Sequence, residues 1–186
     1  MALFYLIRHG EPSYDNLMEH GFYGFGRDLA PLTEDGKKHA EITAKDARLK
    51  EATLIVSSPY TRALQTAQII SRETGLRVEV ELDLHEWVPD WENRYTTSEE
   101  SFALAKEFTK YQGEYPAGEQ FRWETVSHMR ERMRRVADKY ADYDKVILVG
   151  HGMAFRSLAY IEAMRPAEIV EFDYKTGQPD CEYSFT

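Results

Sequence analysis

Leu3-Phe4-Tyr5-Leu6-Ile7 is apolar at every position and ends abruptly at Arg8-His9-Gly10. No polar residue alternates within it, so both faces must be covered, as in an inner strand of a parallel sheet. The pattern recurs twice. Leu54-Ile55-Val56 leads into Ser57-Ser58-Pro59 with Arg62 shortly after, and Lys145 to Val149 leads into Gly150-His151-Gly152. Three buried strands, each followed by a basic residue, are the frame on which the rest of the chain is read.

Helical patterns lie between the strands. Thr33 reads as an N-cap, with Glu34 and Asp35 in the first turn where the helix dipole favours anions, and Gly36, Ala40, Thr43, Ala44 and Ala47 make a small-residue face suited to close packing on a sheet. Ser58 as N-cap and Pro59 at N1 predict a second helix running to a C-cap at Gly75. Leu76, Val78, Val80 and Leu82 alternate with charged residues, as in a half-exposed strand. Residues 83–97 read as loop. Ser98 would cap a helix carrying Phe102, Leu104, Phe108 and Tyr111, and Gly113 to Gly118 break the chain.

A longer helix then carries Trp123, Val126, Met129, Met133, Val136 and Tyr140 on one face, with the Arg-rich stretch Arg130 to Arg135 as its solvated side. A last helix, from about Met153 to Met164, is stopped by Pro166. Ile169 to Tyr174 and Glu182 to Phe185 are candidate edge strands. The fold class that follows is α/β: a three-layer doubly wound sheet, with mostly parallel core strands, helices on both faces and a small helical and loop cap. We expect one domain over residues 1–186, with residues 83–124 as a cap or lid inserted in it.

Composition removes several classes of function. With a formal charge of −9, the chain lacks the basic footprint of a nucleic-acid binder. Its single cysteine, Cys181, permits no internal disulfide framework and has no neighbours that would complete a zinc site. No apolar run approaches a membrane span, and the short apolar start meets Arg8 too soon for a secretory signal, so a cytoplasmic protein is expected. His85-Glu86 has Pro89 where a zinc protease has its second His; Gly24-Phe25-Gly26 follows no strand; no Gly-Lys-Ser/Thr loop occurs.

In a parallel sheet the carboxyl ends of the strands share one edge, and ligands bind there. Arg8, His9, Arg62 and His151, spread over roughly 140 residues, would thus meet in one place. Two guanidiniums and two imidazoles suit a phosphoryl group, and the flanking glycines would let backbone approach it. Neighbouring positive charge should keep His9 neutral and nucleophilic, able to carry a phosphoryl group covalently. The departing oxygen then needs an acid. Glu86, in Leu84-His85-Glu86-Trp87, is the best-placed candidate, where an apolar setting and a bound anion would both raise its pKa. His85 would help the loop to pack, and His20, His39 and His128 read as surface residues.

Leu6-Ile7-Arg8-His9-Gly10-Glu11, Pro31-Leu32-Thr33-x-x-Gly36, Ser57-Ser58-Pro59-x-x-Arg62-Ala63-x-Gln65-Thr66-Ala67 and Val149-Gly150-His151-Gly152 together resemble the histidine phosphatase superfamily, with the phosphoglycerate mutase-like fold. The resemblance implies His9 as the phosphorylated nucleophile, Arg8, Arg62 and His151 as holders of the phosphoryl group, and Glu86 as proton donor and later as base. It implies no metal and no cofactor. The chain departs from the family pattern at Pro12, where Thr or Ser is frequent, and at Asp15, where Asn is frequent. Ser13 and Asn16 stand beside these positions as substrate-binding candidates, as does Gly152 beside His151.

The reading that results is a metal-independent phosphomonoesterase, a histidine acid-type phosphatase, hydrolysing a small phosphorylated metabolite. Its partners would be the phosphate ester and inorganic phosphate, with no nucleic acid and no membrane. The alternatives are a phosphoglycerate-mutase-type phosphoryl transferase, for which Arg94 and Arg122 are the one candidate second arginine pair, and a catalytically silent phospho-ligand binding module. A protonated Glu86 and a neutral His9 together predict a bell-shaped rate profile with an acid-side optimum. Trp87, Trp91, Tyr95, Tyr115 and Phe121 in the cap segment suggest an apolar or ring-bearing leaving group.

Overall fold

The computed structural model describes residues 1–186 apart from Asn16, Met18 and Thr186. Strands β1 (Ala2–Arg8), β2 (Leu54–Ser57), β3 (Val78–Val80), β4 (Lys145–Gly150) and β5 (Ile169–Tyr174) form one sheet in the order β3-β2-β4-β1-β5. The first four strands are mutually parallel, and β5 runs antiparallel to β1 along one edge. Register sets up the site. Arg8 pairs with Gly150 and Ser57 with Val149, so the segments that follow β1, β2 and β4 emerge side by side.

Strand alternation sorts the core into two layers. Phe4, Leu6, Leu54, Val56, Val146 and Leu148 face helices α4 (Val126–Lys139) and α5 (Gly152–Leu158). Tyr5, Ile7, Ile55, Ile147 and Val149 face the other side, where α1 (Glu34–Ala44) and α2 (Thr61–Thr74) pack. The small face of α1 serves a close approach: a Cβ on Gly36 would lie 2.4 Å from the Glu11 carbonyl oxygen, and one on Gly10 would lie 2.6 Å from that of Gly36. A third, aromatic cluster joins Trp87, Phe108, Trp123 and Tyr183 beneath α3 (Ser98–Lys110). Among the described residues no helix is long and apolar enough to cross a membrane.

Several boundaries differ from the sequence expectation. Helix α2 begins at Thr61, not at Pro59, because the Ser58 hydroxyl is engaged by His151 and by the Tyr60 N–H instead of capping the helix. The cap of α3 is Thr97, one residue early, with a reciprocal capping box to Glu100. Trp123 precedes α4, whose N-cap is Thr125. Helix α5 ends at Leu158; the chain beyond it turns across the end of β1, where the Met164 carbonyl accepts from Arg8 and the Ala167 N–H donates to the Arg8 carbonyl. Glu182 to Phe185 form no strand; Tyr183 and Phe185 pack into the aromatic cluster.

The basic side of α4 is not simply solvated. Arg130 and Arg134 bond the carbonyls of Cys181 and Gln178 in the C-terminal segment. Arg132 is 1% exposed, and its Nε and Nη2 donate to the two carboxylate oxygens of buried Glu124 at 2.7 and 2.9 Å. Removing one member of such a pair strands the other charge in the interior. Arg132→Met should therefore cost about 3–5 kcal/mol of stability in urea unfolding, whereas Arg135→Ala, which removes exposed pairs with Asp83 and Glu131, should cost less than about 1 kcal/mol. Equal losses from the two variants would contradict this account of α4.

Candidate active site

The His9 N–H donates to the Gly150 carbonyl at 2.9 Å, continuing the β1–β4 ladder one residue past the strand and drawing the two histidine segments together. The His9 and His151 rings stand edge to face, 5.1 Å between centroids. Both are buried, His9 at 5% and His151 at 0% exposure. His9 Nδ1 lies 2.6 Å from the Gly10 carbonyl oxygen. A carbonyl only accepts, so Nδ1 carries the proton and Nε2 keeps its lone pair. Arg62, on the first turn of α2, donates from Nε to that lone pair at 3.2 Å.

Arg62 joins the parts of the site. Its Nη2 reaches His151 Nδ1 at 3.4 Å and its Nη1 reaches Asp28 Oδ1 at 3.4 Å, while its guanidinium lies 4.9 Å from the Tyr60 ring centre. A guanidinium only donates, so His151 Nδ1 is the acceptor and Nε2–H donates to the Ser58 hydroxyl at 2.8 Å. Thr66 secures the Gly10 turn from below: its Oγ1 accepts from the Gly10 N–H at 3.0 Å and donates to the Arg62 carbonyl. Arg8 bonds Met164 through Nη1, and its buried Nε–H has no hydrogen-bond partner among the described residues. A buried donor without a partner is costly, and here it stands one residue from His9.

These contacts explain the protonation states. Burial, then Arg62, then Arg8 push His9 down to about 3, against the weaker opposing pull of the Gly10 carbonyl. Burial and Arg62 hold His151 well below the ordinary imidazole range. Asp28 moves the other way, up to about 6, because burial outweighs the attraction of Arg62.

Glu86 sits where the loop after β3 meets α5. Its Oε1 accepts from the N–H groups of Trp87 at 2.9 Å and Ala154 at 3.0 Å, and its Oε2 from Met153 at 3.4 Å. Backbone donors therefore surround it in place of the apolar setting expected, and two of them come from the first turn of α5. Arg62, Glu86, Asp28 and Tyr60 line one cleft of about 170 Å³.

Of the other expected residues, Gly152 borders Arg8, whose Nε would be 3.7 Å from a Cβ there. Gly10 and Gly150 serve packing rather than ligand approach: a Cβ on Gly150 would lie 2.9 Å from the Phe155 ring. Ser13 bonds the Pro31 carbonyl through its N–H and does not line the cleft, whereas Tyr14 does. Asp15 is exposed, and Asn16 lies outside the described residues. Among the described residues no cluster of three or more His, Cys, Asp or Glu side chains is arranged to hold a metal ion.

Sequence reasoning missed Asp28, Tyr60 and the buried pair Glu124–Arg132. Asp28 carries no pattern that announces a partner in α2. Arg132 did carry a signal, because it falls on the apolar spacing of Met129, Met133 and Val136. The pair braces Glu86 from both sides. Arg132 Nη1 donates to the Asp83 and His85 carbonyls at 2.6 and 2.7 Å, while Glu124 accepts from the Val88 N–H and, through its carbonyl, from the Trp87 indole.

Comparison with known proteins gives the family and the fold. The probable phosphoglycerate mutase GpmB of Yersinia enterocolitica is 30% identical over 166 residues, spanning 85% of this chain and 73% of that protein. A mycobacterial glucosyl-3-phosphoglycerate phosphatase, solved in complex with VO3, superposes with a TM-score of 0.69 at 22% identity, covering 92% of this chain and 90% of that one. Bacillus stearothermophilus YhfR superposes with a TM-score of 0.68 at 20% identity, covering 95% and 93%. These two structures share the fold. The sequence profile of one family matches residues 4–179, nearly the whole chain, and on that match the protein belongs to the histidine phosphatase superfamily, branch 1.

Proposed function

We propose that the chain is a phosphoric monoester hydrolase, a metal-independent phosphomonoesterase that acts on a small phosphorylated metabolite through a phosphohistidine. The observation that carries this reading is the state of His9: buried, neutral, its Nδ1 proton held by Gly10 and its Nε2 lone pair directed at Arg62. The Nε2 lone pair attacks phosphorus, the ester P–O bond breaks, and the leaving oxygen takes its proton from Glu86. Water then attacks the phosphohistidine while Glu86 takes a proton back; the P–N bond breaks, and inorganic phosphate leaves.

Arg62 transfers its donors from the His9 lone pair to phosphoryl oxygens when substrate arrives, and the unpartnered Nε–H of Arg8 finds an acceptor in the same group. Two guanidiniums thus stabilise the charge that develops on the phosphoryl oxygens. His151 orients Arg62 and borders the phosphoryl position with Gly152. Residues 83–124 act as the cap: Trp87, Val88, Pro89, Asn93, Tyr95 and Ser101 line the cleft from that segment. A mutase needs a second anion site near the first. Arg94 and Arg122 pair with Glu92 and Asp90 and line a separate depression, so hydrolysis is the better-supported outcome.

His9→Ala should abolish acid-labile phosphoprotein and lower p-nitrophenyl phosphate hydrolysis by about 10³-fold or more. Hydrolysis at the native rate would refute the nucleophile, and an unlabelled native protein would mark a silent binder. In single-turnover measurements, Glu86→Gln should slow alcohol release from an alkyl phosphate by about 10²–10⁴-fold. Release of p-nitrophenolate, a stable anion, should be slowed much less; equal losses would remove Glu86 as the acid.

A His9 held at about 3, against the ordinary 6.5 of an unfolded chain, binds fewer protons folded than unfolded. Its contribution to stability is thus present above 6.5 and lost as the pH falls toward 3, whereas Asp28, raised to about 6, acts in the opposite sense as the pH rises. Relative to His9→Asn, the native protein should lose about 1.4 kcal/mol per pH unit within that window. A His9 ring that titrates near 6.5 by nitrogen NMR would contradict both the slope and the chemistry.

A further inference from the structure

We propose that the leaving group of the substrate is an uncharged, ring-bearing alcohol, seated in an apolar groove that extends the phosphoryl cleft between Phe25, Tyr60, Leu82 and Trp91. This rests on the phosphomonoesterase reading above and names its substrate class.

The groove has a volume of about 370 Å³ and shares Phe25, Asp28, Tyr60 and Val88 with the cleft that holds Arg62 and Glu86. A molecule with its phosphorus at His9 and its ester oxygen at Glu86 would occupy the cleft that the groove adjoins through these four shared residues. Its walls are exposed large apolar side chains: Phe25 at 53%, Leu82 at 71% and Trp91 at 45%. A soluble protein seldom leaves such residues together in water without a ligand for them.

The cap aromatics expected from the sequence divide here. Trp87, Tyr115 and Phe121 pack into the aromatic cluster, and Tyr95 is buried with its hydroxyl on the Gly24 carbonyl. Trp91 alone of the five lines the groove, joined by Phe25 and Tyr60 from outside the cap. Tyr60 already lies against the Arg62 guanidinium, so a ring placed beside it meets an aromatic face fixed by the phosphoryl site.

Charge excludes the competing class. The ionisable groups lining the groove are Asp28, Tyr60, Asp83 and His85, with no lysine or arginine among them. Asp83 accepts from Arg135 on its outer side, and His85 is kept below the ordinary imidazole range by burial and Arg132. In the adjoining cleft Arg27 donates to the Ser98 hydroxyl and lies over the Tyr14 ring. A leaving group that bears a carboxylate, as glycerate does, would enter beside Asp28 and Asp83 with no cation in the groove to receive it. A neutral ring meets apolar walls and no repulsion.

The test compares benzyl phosphate, glycerol phosphate and 3-phosphoglycerate as substrates of the intact chain, with Phe25→Ala and Trp91→Ala alongside. The native protein should favour benzyl phosphate over 3-phosphoglycerate by about tenfold or more in kcat/KM, and each variant should reduce the benzyl-to-glycerol preference by about tenfold, mainly through KM. Turnover that favours 3-phosphoglycerate, or a benzyl preference untouched by both variants, would overturn the groove assignment. Titrations of benzylphosphonate and 3-phosphonopropionate, which cannot turn over, separate the two readings. Tighter benzylphosphonate binding without any hydrolysis would keep the groove and remove the phosphatase reading; tighter 3-phosphonopropionate binding would remove the groove whatever the turnover.

Discussion

The parallel register of β1 on β4 governs the site. Arg8 pairs with Gly150, and the ladder continues through the His9 N–H to the Gly150 carbonyl. A slip of one residue would turn the alternation of both strands inside out, moving Phe4 and Leu6 to the layer built for Tyr5 and Ile7. Two well-filled apolar layers therefore hold the register, and the register holds the two imidazoles 5.1 Å apart. The geometry of the site is a by-product of core packing in this sense: it is fixed by side chains buried in the two apolar layers of the sheet.

A site that gathers two arginines and two buried imidazoles is electrostatically costly. Its protonation states reduce that cost, since both histidines stay neutral and the formal positive charge falls on Arg8 and Arg62 alone. Hydrogen bonding reduces it further. Arg62 finds the two imidazole lone pairs and Asp28, and Glu86 finds three backbone donors. Among the described residues of the site, the buried Arg8 Nε–H is left without a hydrogen-bond partner. Under the proposed function, a phosphoryl group would exchange these internal contacts for stronger, charge-assisted ones.

Much of this was legible in the sequence, and the reason is local. Apolar runs that end at a basic residue give both the strand and the residue's place at its end, and Thr33 and Gly75 mark helix ends by chemistry that acts over one turn. The misreadings share a different origin. Ser58 looks like a helix cap until His151, more than ninety positions later, claims its hydroxyl. Arg132 looks solvated until Glu124, just before the same helix, folds back onto it, and the flanking glycines look like ligand clearance until Gly36 and Phe155 arrive against them. A polar side chain with two competing partners is assigned by tertiary contact, and short-range pattern has no access to that competition.

The loop that follows β3 shows how one buried ion pair can serve two ends. Arg132 grips the carbonyls of Asp83 and His85, Glu124 grips the amide of Val88 and the indole of Trp87, and Glu86 lies between these anchors. Under the proposed function this carboxyl would alternately release and accept a proton, and a fixed position matters there because a shift of about 1 Å in a reacting group can cost 10²-fold in rate. The same anchors set the edge of the apolar groove, since Leu82 and Asp83 lie at one end of the braced segment and Val88 and Trp91 at the other. A bidentate arginine–carboxylate pair, desolvated and bonded on every side, yields little net stability compared with a hydrocarbon pair of the same volume. Its place in and just before α4 makes sense as orientation: hydrocarbon could fill the space, but it could not hold the Asp83 and His85 carbonyls and the Val88 amide of one loop in a single arrangement.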